Sequence, residues 1–334
     1  MVVLGSLAVL LLVVLGGGYV VLRNLGLIDT GDEGSSVRVV VPEGASAGDI
    51  GELLEREGVI RSALGFRIAT VLGGGAEDIQ AGRYRLTSGL SAREALAALS
   101  EGPEVRSVTV TFPEGSWLTD FARIVGRETH ISRRRFLSMA RSGRVRSALQ
   151  PADVDTLEGL LWPSTYQVDE NDTATSLLRR LTDEMDERVA DVDLEEPRKR
   201  GLTAYEAVIV ASMVEAEARV PADRPKIATV IYNRLARGMS LGIDATVAYA
   251  IGKRGGGLTD EDLAVDSPYN TRIHTGLPPT PIGAPGMASL RATAEPATGD
   301  WLYFVVAGCD GRHAFSDSYS EFLADKAAYQ ALQC

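Results

Sequence analysis

ASMVEAEARVPADRPKIATVIYNRLARGMSLGIDATVAY, residues 211–249, places two carboxylates, Glu215 and Glu217, in an apolar helical run. Across residues 203–218 the apolar positions Tyr205, Val208, Ile209, Val210, Met213 and Val214 surround almost the whole helix, which predicts a buried central helix. An ionised carboxylate is expensive to bury alone. Three settings relieve the cost: a neutral acid with a raised pKa, an ion pair, or a place on the wall of a cleft. The first and last together describe a general acid.

The two glutamates are not equivalent, because at about 100° per residue they point about 160° apart. Glu217 shares its arc with Ile209, Val210, Met213 and Val214, whereas Glu215 lies with Val208, Ala211 and Ser212. Glu217 is therefore the candidate for a desolvated, proton-holding carboxyl. The competing reading is an ion pair near the helix C-terminus, with Arg219 or Arg224 as partner.

With 334 residues, 45% hydrophobic and 24% charged, the chain can build two domains with real cores. Residues 2–22 carry no charge and are dense in Val and Leu, long enough at about 1.5 Å per residue to span a hydrocarbon core of about 30 Å. A transmembrane helix is expected there. A cleaved signal peptide is the alternative, disfavoured by the length of the run and the lack of a preceding basic region. Charges flanking the run do not orient it. The formal charge of −11 argues against nucleic acid or an anionic surface as the main target. Cys309 and Cys334 cannot build a disulfide framework or a four-ligand zinc site, and leave one bridge open.

Residues 29–36 (DTGDEGSS) form a polar linker, and the pattern that follows is strand (37–41), helix from a Ser46 cap, helix from Ser62, strand (83–86). This order resembles the LysM-type glycan-binding unit, and a structural spacer would show the same pattern. A helix at 91–100 follows. VRVVVPEGASAGDI (37–50) then recurs as VTVTFPEGSWLTDF (108–121), an internal repeat of strand, Pro-Glu-Gly turn and helix start, with Asp49 matched by Asp120. Residues 132–141 predict a basic amphipathic helix, and 195–200 (EEPRKR) an exposed connection. Trp162 and Tyr166, in LEGLLWPSTY (157–166), are either core packing or flat faces for a sugar ring. Residues 267–285 hold five of the fourteen prolines and predict a long ordered loop walling a cleft. Strands are expected at 301–306 and 313–315, with a last helix from Tyr319. His130, His274 and His313 are scattered; each reads first as an ordinary hydrogen-bonded histidine, with lining a site as the alternative for His274, in the proline-rich loop, and His313, beside a strand. No HExxH, P-loop, GxSxG or dinucleotide-binding pattern occurs in a plausible context.

WPSTY (162–166), ASMVEAE (211–217), VIYNRL (230–235), IDATVAYAIG (243–252), SPYNT…GLPPTPIGAPG (267–286) and YFVVAG…HAFS (303–316) together resemble the endolytic murein transglycosylase family, also called MltG or YceG-like. The resemblance covers almost the whole chain. It implies Glu217 as the catalytic acid, and Asn233, Asp244, Thr246, Tyr269, Asn270 and Thr271 around a sugar-binding cleft. Departures are Ala245 where the family has proline, Ile243 where it has threonine, and Asp223 with Pro225 in place of an acidic, Arg, Asp run.

The fold class expected is α+β: a transmembrane anchor at 1–22, a linker at 23–36, a LysM-like βααβ unit with connecting helix at 37–104, and a larger mixed α/β catalytic domain at 105–334 with a central buried helix. The reaction implied is non-hydrolytic cleavage of the β-1,4 bond between N-acetylmuramic acid and N-acetylglucosamine in nascent peptidoglycan, leaving 1,6-anhydro ends and terminating strand growth. One carboxyl suffices for it, and no cofactor or metal is implied. Implied partners are peptidoglycan strands, penicillin-binding proteins and other wall synthases. The implied place is the cytoplasmic membrane, single-pass, with the catalytic domain outside. Two alternatives stay open: a muramidase-type hydrolase using Asp244 as well, and a membrane-tethered glycan-binding protein without catalysis.

Overall fold

The computed structural model describes residues 34–104 and 106–332, with residues 16, 17 and 20. The span expected at 1–22 otherwise lies outside the described residues, as do residues 23–33 of the linker and Cys334. No helix among the described residues is long and apolar enough to cross a membrane. The fold is mixed α/β, with thirteen α-helices and three two-stranded antiparallel sheets among the described residues. The chain divides into two compact units, Met1–Arg106 and Ser107–Cys334.

In the first unit β1 (Ser36–Val41) pairs with β2 (Gly82–Thr87), Val39 opposite Tyr84, and α1 (Ala47–Arg56) and α2 (Ala63–Gly73) lie between them in sequence. The alternation of β1 sends Val39 and Val41 inward, where they meet Leu54, Phe66, Tyr84 and Leu86 in one core. Each helix starts where a serine makes it start. Ser46 and Asp49 form a reciprocal capping box, Ser62 caps α2, and Ser91 with Glu94 repeats the box at α3 (Ala92–Ser100).

The second unit opens with β3 (Ser107–Thr111), which pairs with β4 (Thr165–Asp169), and with α4 (Leu118–Glu128) and α5 (Arg133–Ala140) between them. The internal repeat has a physical basis here. Asp120 accepts from the Trp117 backbone N–H at 3.1 Å, as Asp49 accepts from that of Ser46 at 2.9 Å, so both copies use an acid to cap the helix after the turn. Then follow α6 (Ala174–Ala190) and α7 (Glu195–Lys199), which is a short helix with Pro197 buried where the sequence reads as an exposed link.

At the centre lies α8 (Ala204–Glu217), capped by Thr203 and Glu206. Its Ala207–Val214 run is buried without interruption, so no face is left for solvent, and the charged side chains are confined to the two ends. After it come α9 (Arg224–Ala236), α10 (Asp244–Ala250), α11 (Asp260–Leu263) and α12 (Met287–Ala294). The hairpin β5 (Tyr303–Val306) and β6 (His313–Ser316) precedes α13 (Tyr319–Ala331).

The proline-rich stretch is a loop without helix or strand that packs beneath α8 and, of its residues, only Arg272 reaches the wall of the cleft described below. Its Ile282 N–H donates to Ser212 Oγ at 3.0 Å. Trp162 is 8% exposed and Tyr166 packs on Phe112, so both belong to the core and not to a sugar platform. Gly159, with φ of 70°, sits where a Cβ would meet the Pro281 Cβ at 2.2 Å and the Gly283 carbonyl at 2.9 Å. Gly159→Ala is therefore expected to cost about 2–5 kcal/mol, strain and overpacking together, read as a lower denaturant midpoint with unchanged slope.

Candidate active site

Glu217 is the last residue of α8, and its neighbours close around the carboxyl while part of the residue opens to a cleft. Burial pushes its pKa up to about 7. The Ala245 N–H, 3.5 Å from Oε1, opposes that rise, while the charge of Asp244 adds to it and Arg219 opposes it. The position at a helix C-terminus acts in the same upward sense, since the helix presents its negative end there.

The cleft runs past Glu217 on both sides. One lobe, of about 500 Å³, is walled by Arg234, Arg272, Tyr303, Tyr319, Phe322 and Lys326. The other, of about 380 Å³, is walled by Arg219, Lys253 and the glycines 255–257. Glu217, Asp244, Val306 and His313 border both lobes. The aromatic faces thus come from β5 and α13, which the sequence reads only as a strand and a last helix. Tyr303 packs on Tyr319 and Phe322 with ring centroids 5.6 Å from each, a stack assembled only by tertiary folding.

The other residues expected around the cleft divide into one that borders it and five that support it. Asp244 lines it, with Oδ1 accepting from Arg272 Nη1 at 2.7 Å. Thr246 and Thr271, both buried, share a 2.9 Å hydroxyl contact, and Thr271 Oγ1 accepts from the Ile243 N–H. That knot fixes the first turn of α10, and with it the Ala245 N–H beside Glu217. Asn270, fully buried, donates to the carbonyls of Leu263 and Val265. Tyr269 shares a hydroxyl contact with Thr280. Asn233 spends its amide on the carbonyls of Gly299 and Trp301, pinning α9 to the segment before β5.

Glu215 faces the opposite side of α8 and does different work. It accepts from the Gly286 N–H at 3.1 Å and Ser289 Oγ at 2.7 Å, and pairs with Arg224 at 3.5 Å. The ion-pair alternative is thus real for Arg224, but its partner is Glu215. A further carboxyl, Glu158, is also pushed to about 7 by burial, yet it is a structural acid. It accepts from the Leu118 N–H at the start of α4 and from Tyr249 Oη, and does not border the cleft. Its place in LEGLLWPSTY, amid leucines, was the only sequence signal for it.

The family model for YceG-like proteins matches residues 39–328. The chain belongs to the YceG-like family. Among its YceG-like relatives, the endolytic murein transglycosylase of Bacillus subtilis (strain 168) is 31% identical over 329 residues, covering 95% of this chain and 91% of the relative. That of Streptococcus pneumoniae serotype 2 (strain D39) is 30% identical over 353 residues, covering 95% of this chain and 63% of the longer relative. A crystal structure of a yceG-like protein from Listeria monocytogenes superposes with a TM-score of 0.59 at 30% identity, covering 87% of this chain and 99% of that one.

Proposed function

We propose that this YceG-like chain is an endolytic peptidoglycan transglycosylase in which Glu217 serves as both acid and base. The observation that carries the reading is one desolvated carboxyl midway along an open cleft, beside a single further carboxylate, Asp244, that is already engaged by Arg272. The names of the Bacillus and Streptococcus relatives support it.

Protonated Glu217 gives its proton to the glycosidic oxygen as the bond from that oxygen to C1 of the muramoyl residue breaks. The resulting carboxylate then takes the proton of the C6 hydroxyl as that oxygen closes on C1. The product is a 1,6-anhydro end, no water is consumed, and the carboxyl returns to its starting form. A pKa near 7 suits a group that must act in both senses. A hydrolase would instead need a second carboxylate to activate water, and Asp244 is the residue to serve. The purified full chain in detergent, given glycan strands, separates the two by mass spectrometry of the new ends: anhydro ends support the transglycosylase, reducing ends the hydrolase.

Acid catalysis by this group has a pH signature. kcat/KM should fall about tenfold per pH unit above about 7, because the free enzyme must enter with Glu217 protonated. Ala245→Pro removes the backbone N–H that steadies the ionised form, so the falling limb should move to higher pH. A limb that stayed in place would show that this N–H does not act on the acid.

The antiparallel β1–β2 pair with two intervening helices supports reading the first unit as a LysM-like glycan-binding module. The apolar run at 2–22 supports a single-pass anchor in the cytoplasmic membrane with both units outside, where nascent peptidoglycan and the wall synthases lie. Cross-linking in membranes tests the synthase contacts; absence of any penicillin-binding protein adduct would count against them.

A further inference from the structure

We infer that His313, oriented by the buried Asp223, is a substrate-binding residue whose Nε2 accepts a hydrogen bond from a sugar next to the scissile bond. This rests on the reaction proposed above and assigns that site a further residue.

Asp223, in the turn between α8 and α9, is a carboxylate only 4% exposed. Its Oδ2 takes two hydrogen bonds from one residue, the His313 backbone N–H at 2.7 Å and the ring Nδ1–H at 2.9 Å. Both side chains are almost wholly covered, at 4% and 5% exposure. In the neutral ring a carboxylate acceptor holds the proton on Nδ1, which leaves Nε2 with a lone pair. Phe304, edge-on at 5.5 Å between centroids, and Phe315 at 6.2 Å hold the ring plane.

Nε2 lies on the far side of the ring from Asp223. It makes no hydrogen bond to the protein among the described residues and is not among their sealed, unpaired polar atoms. His313 borders both lobes of the cleft together with Glu217. The charged side chains that wall those lobes are Arg219, Arg234, Lys253, Arg272 and Lys326, all donors, against the acid Glu217 and the Arg272-bound Asp244. His313 Nε2 is the ring acceptor left for a sugar hydroxyl or acetamido N–H, at the point where the strand must pass the acid. A merely structural histidine would need the Asp223 bond and nothing on the cleft side.

That difference makes the test. His313→Asn places an amide near the Nδ1 position and can keep the bond to Asp223 while losing the cleft nitrogen. His313→Gln reaches the Nε2 position instead. With the full chain in detergent, His313→Asn should melt near the unaltered protein yet lose about tenfold in kcat/KM, and His313→Gln should retain more activity than His313→Asn. An Asn variant as active as the unaltered protein, with the Gln variant impaired, overturns the inference and leaves the ring structural. A second measurement does not depend on the reaction class. Binding of a tetrasaccharide of alternating N-acetylglucosamine and N-acetylmuramic acid to the Glu217→Gln protein should weaken about tenfold when His313→Asn is added. Unchanged affinity overturns the inference even if the product ends prove to be reducing ones, whereas reducing ends alone overturn only the transglycosylase reading.

Discussion

Glu217→Gln is expected to lower kcat by about a thousandfold or more, because one group carries both proton transfers and each is worth about a hundredfold to ten-thousandfold. The amide keeps the shape of the side chain, so strands should still bind. Its stability should move the other way from its activity. The folded-state pKa of Glu217 is raised, so its contribution is fully present below the unfolded value of 4.5 and is lost as pH rises through about 7. Glutamine has nothing to ionise. At pH 8 the variant should therefore melt no lower than the unaltered protein, and its release of anhydro ends should be at background. A variant that still released them at a substantial rate would move the acid elsewhere and sink the assignment.

Glu215→Ala, two positions away, should do the reverse. It removes the partner of Arg224 and the acceptor for Gly286 N–H and Ser289 Oγ, in a site where the paired side chains are 15% and 10% exposed. Breaking a buried pair from one side costs about 3–5 kcal/mol. The lower end, about 3 kcal/mol, is expected because Glu114 remains beside the site. Burial and the Glu215 charge push the Glu114 carboxyl up while the Arg224 charge pulls it down, so with Glu215 gone Glu114 is the acid left facing Arg224. For a unit of this size that is a fall of about 6–12 °C in Tm. Well below the new Tm the variant should still cut glycan strands. A normal Tm with lost activity would show that Glu215 acts in the chemistry.

The contrast shows what a single chain discloses. The helix ends were legible because they are local: Ser46, Ser62, Ser91 and Thr203 cap the helices they precede, and the Asp49 and Asp120 matches lie three residues from the backbone groups they bind. The opposed directions of Glu215 and Glu217 follow from helical geometry alone. What each faces does not, since the partners of Glu215 come from α9 and α12 and the cleft opposite Glu217 is walled by β5, β6 and α13. Tyr319 is 58% exposed and α13 buries no residue, so nothing in its pattern marks it as a wall. Family resemblance likewise gave positions without depth. Asn270, Thr246 and Thr271 are buried scaffolding, and the sequence reads the same whether such residues touch a sugar or hold the backbone that does.

A trough open past the acid at both ends also sets how long the pieces will be. A blind pocket counts residues from a terminus and releases uniform small units from the first turnover. An acid in mid-trough, with about 500 Å³ on one side and 380 Å³ on the other, senses only the few sugars spanning it. Each scission is then indifferent to how far away the chain ends lie. Mean polymer length should collapse within the earliest cuts, while soluble disaccharides accumulate late.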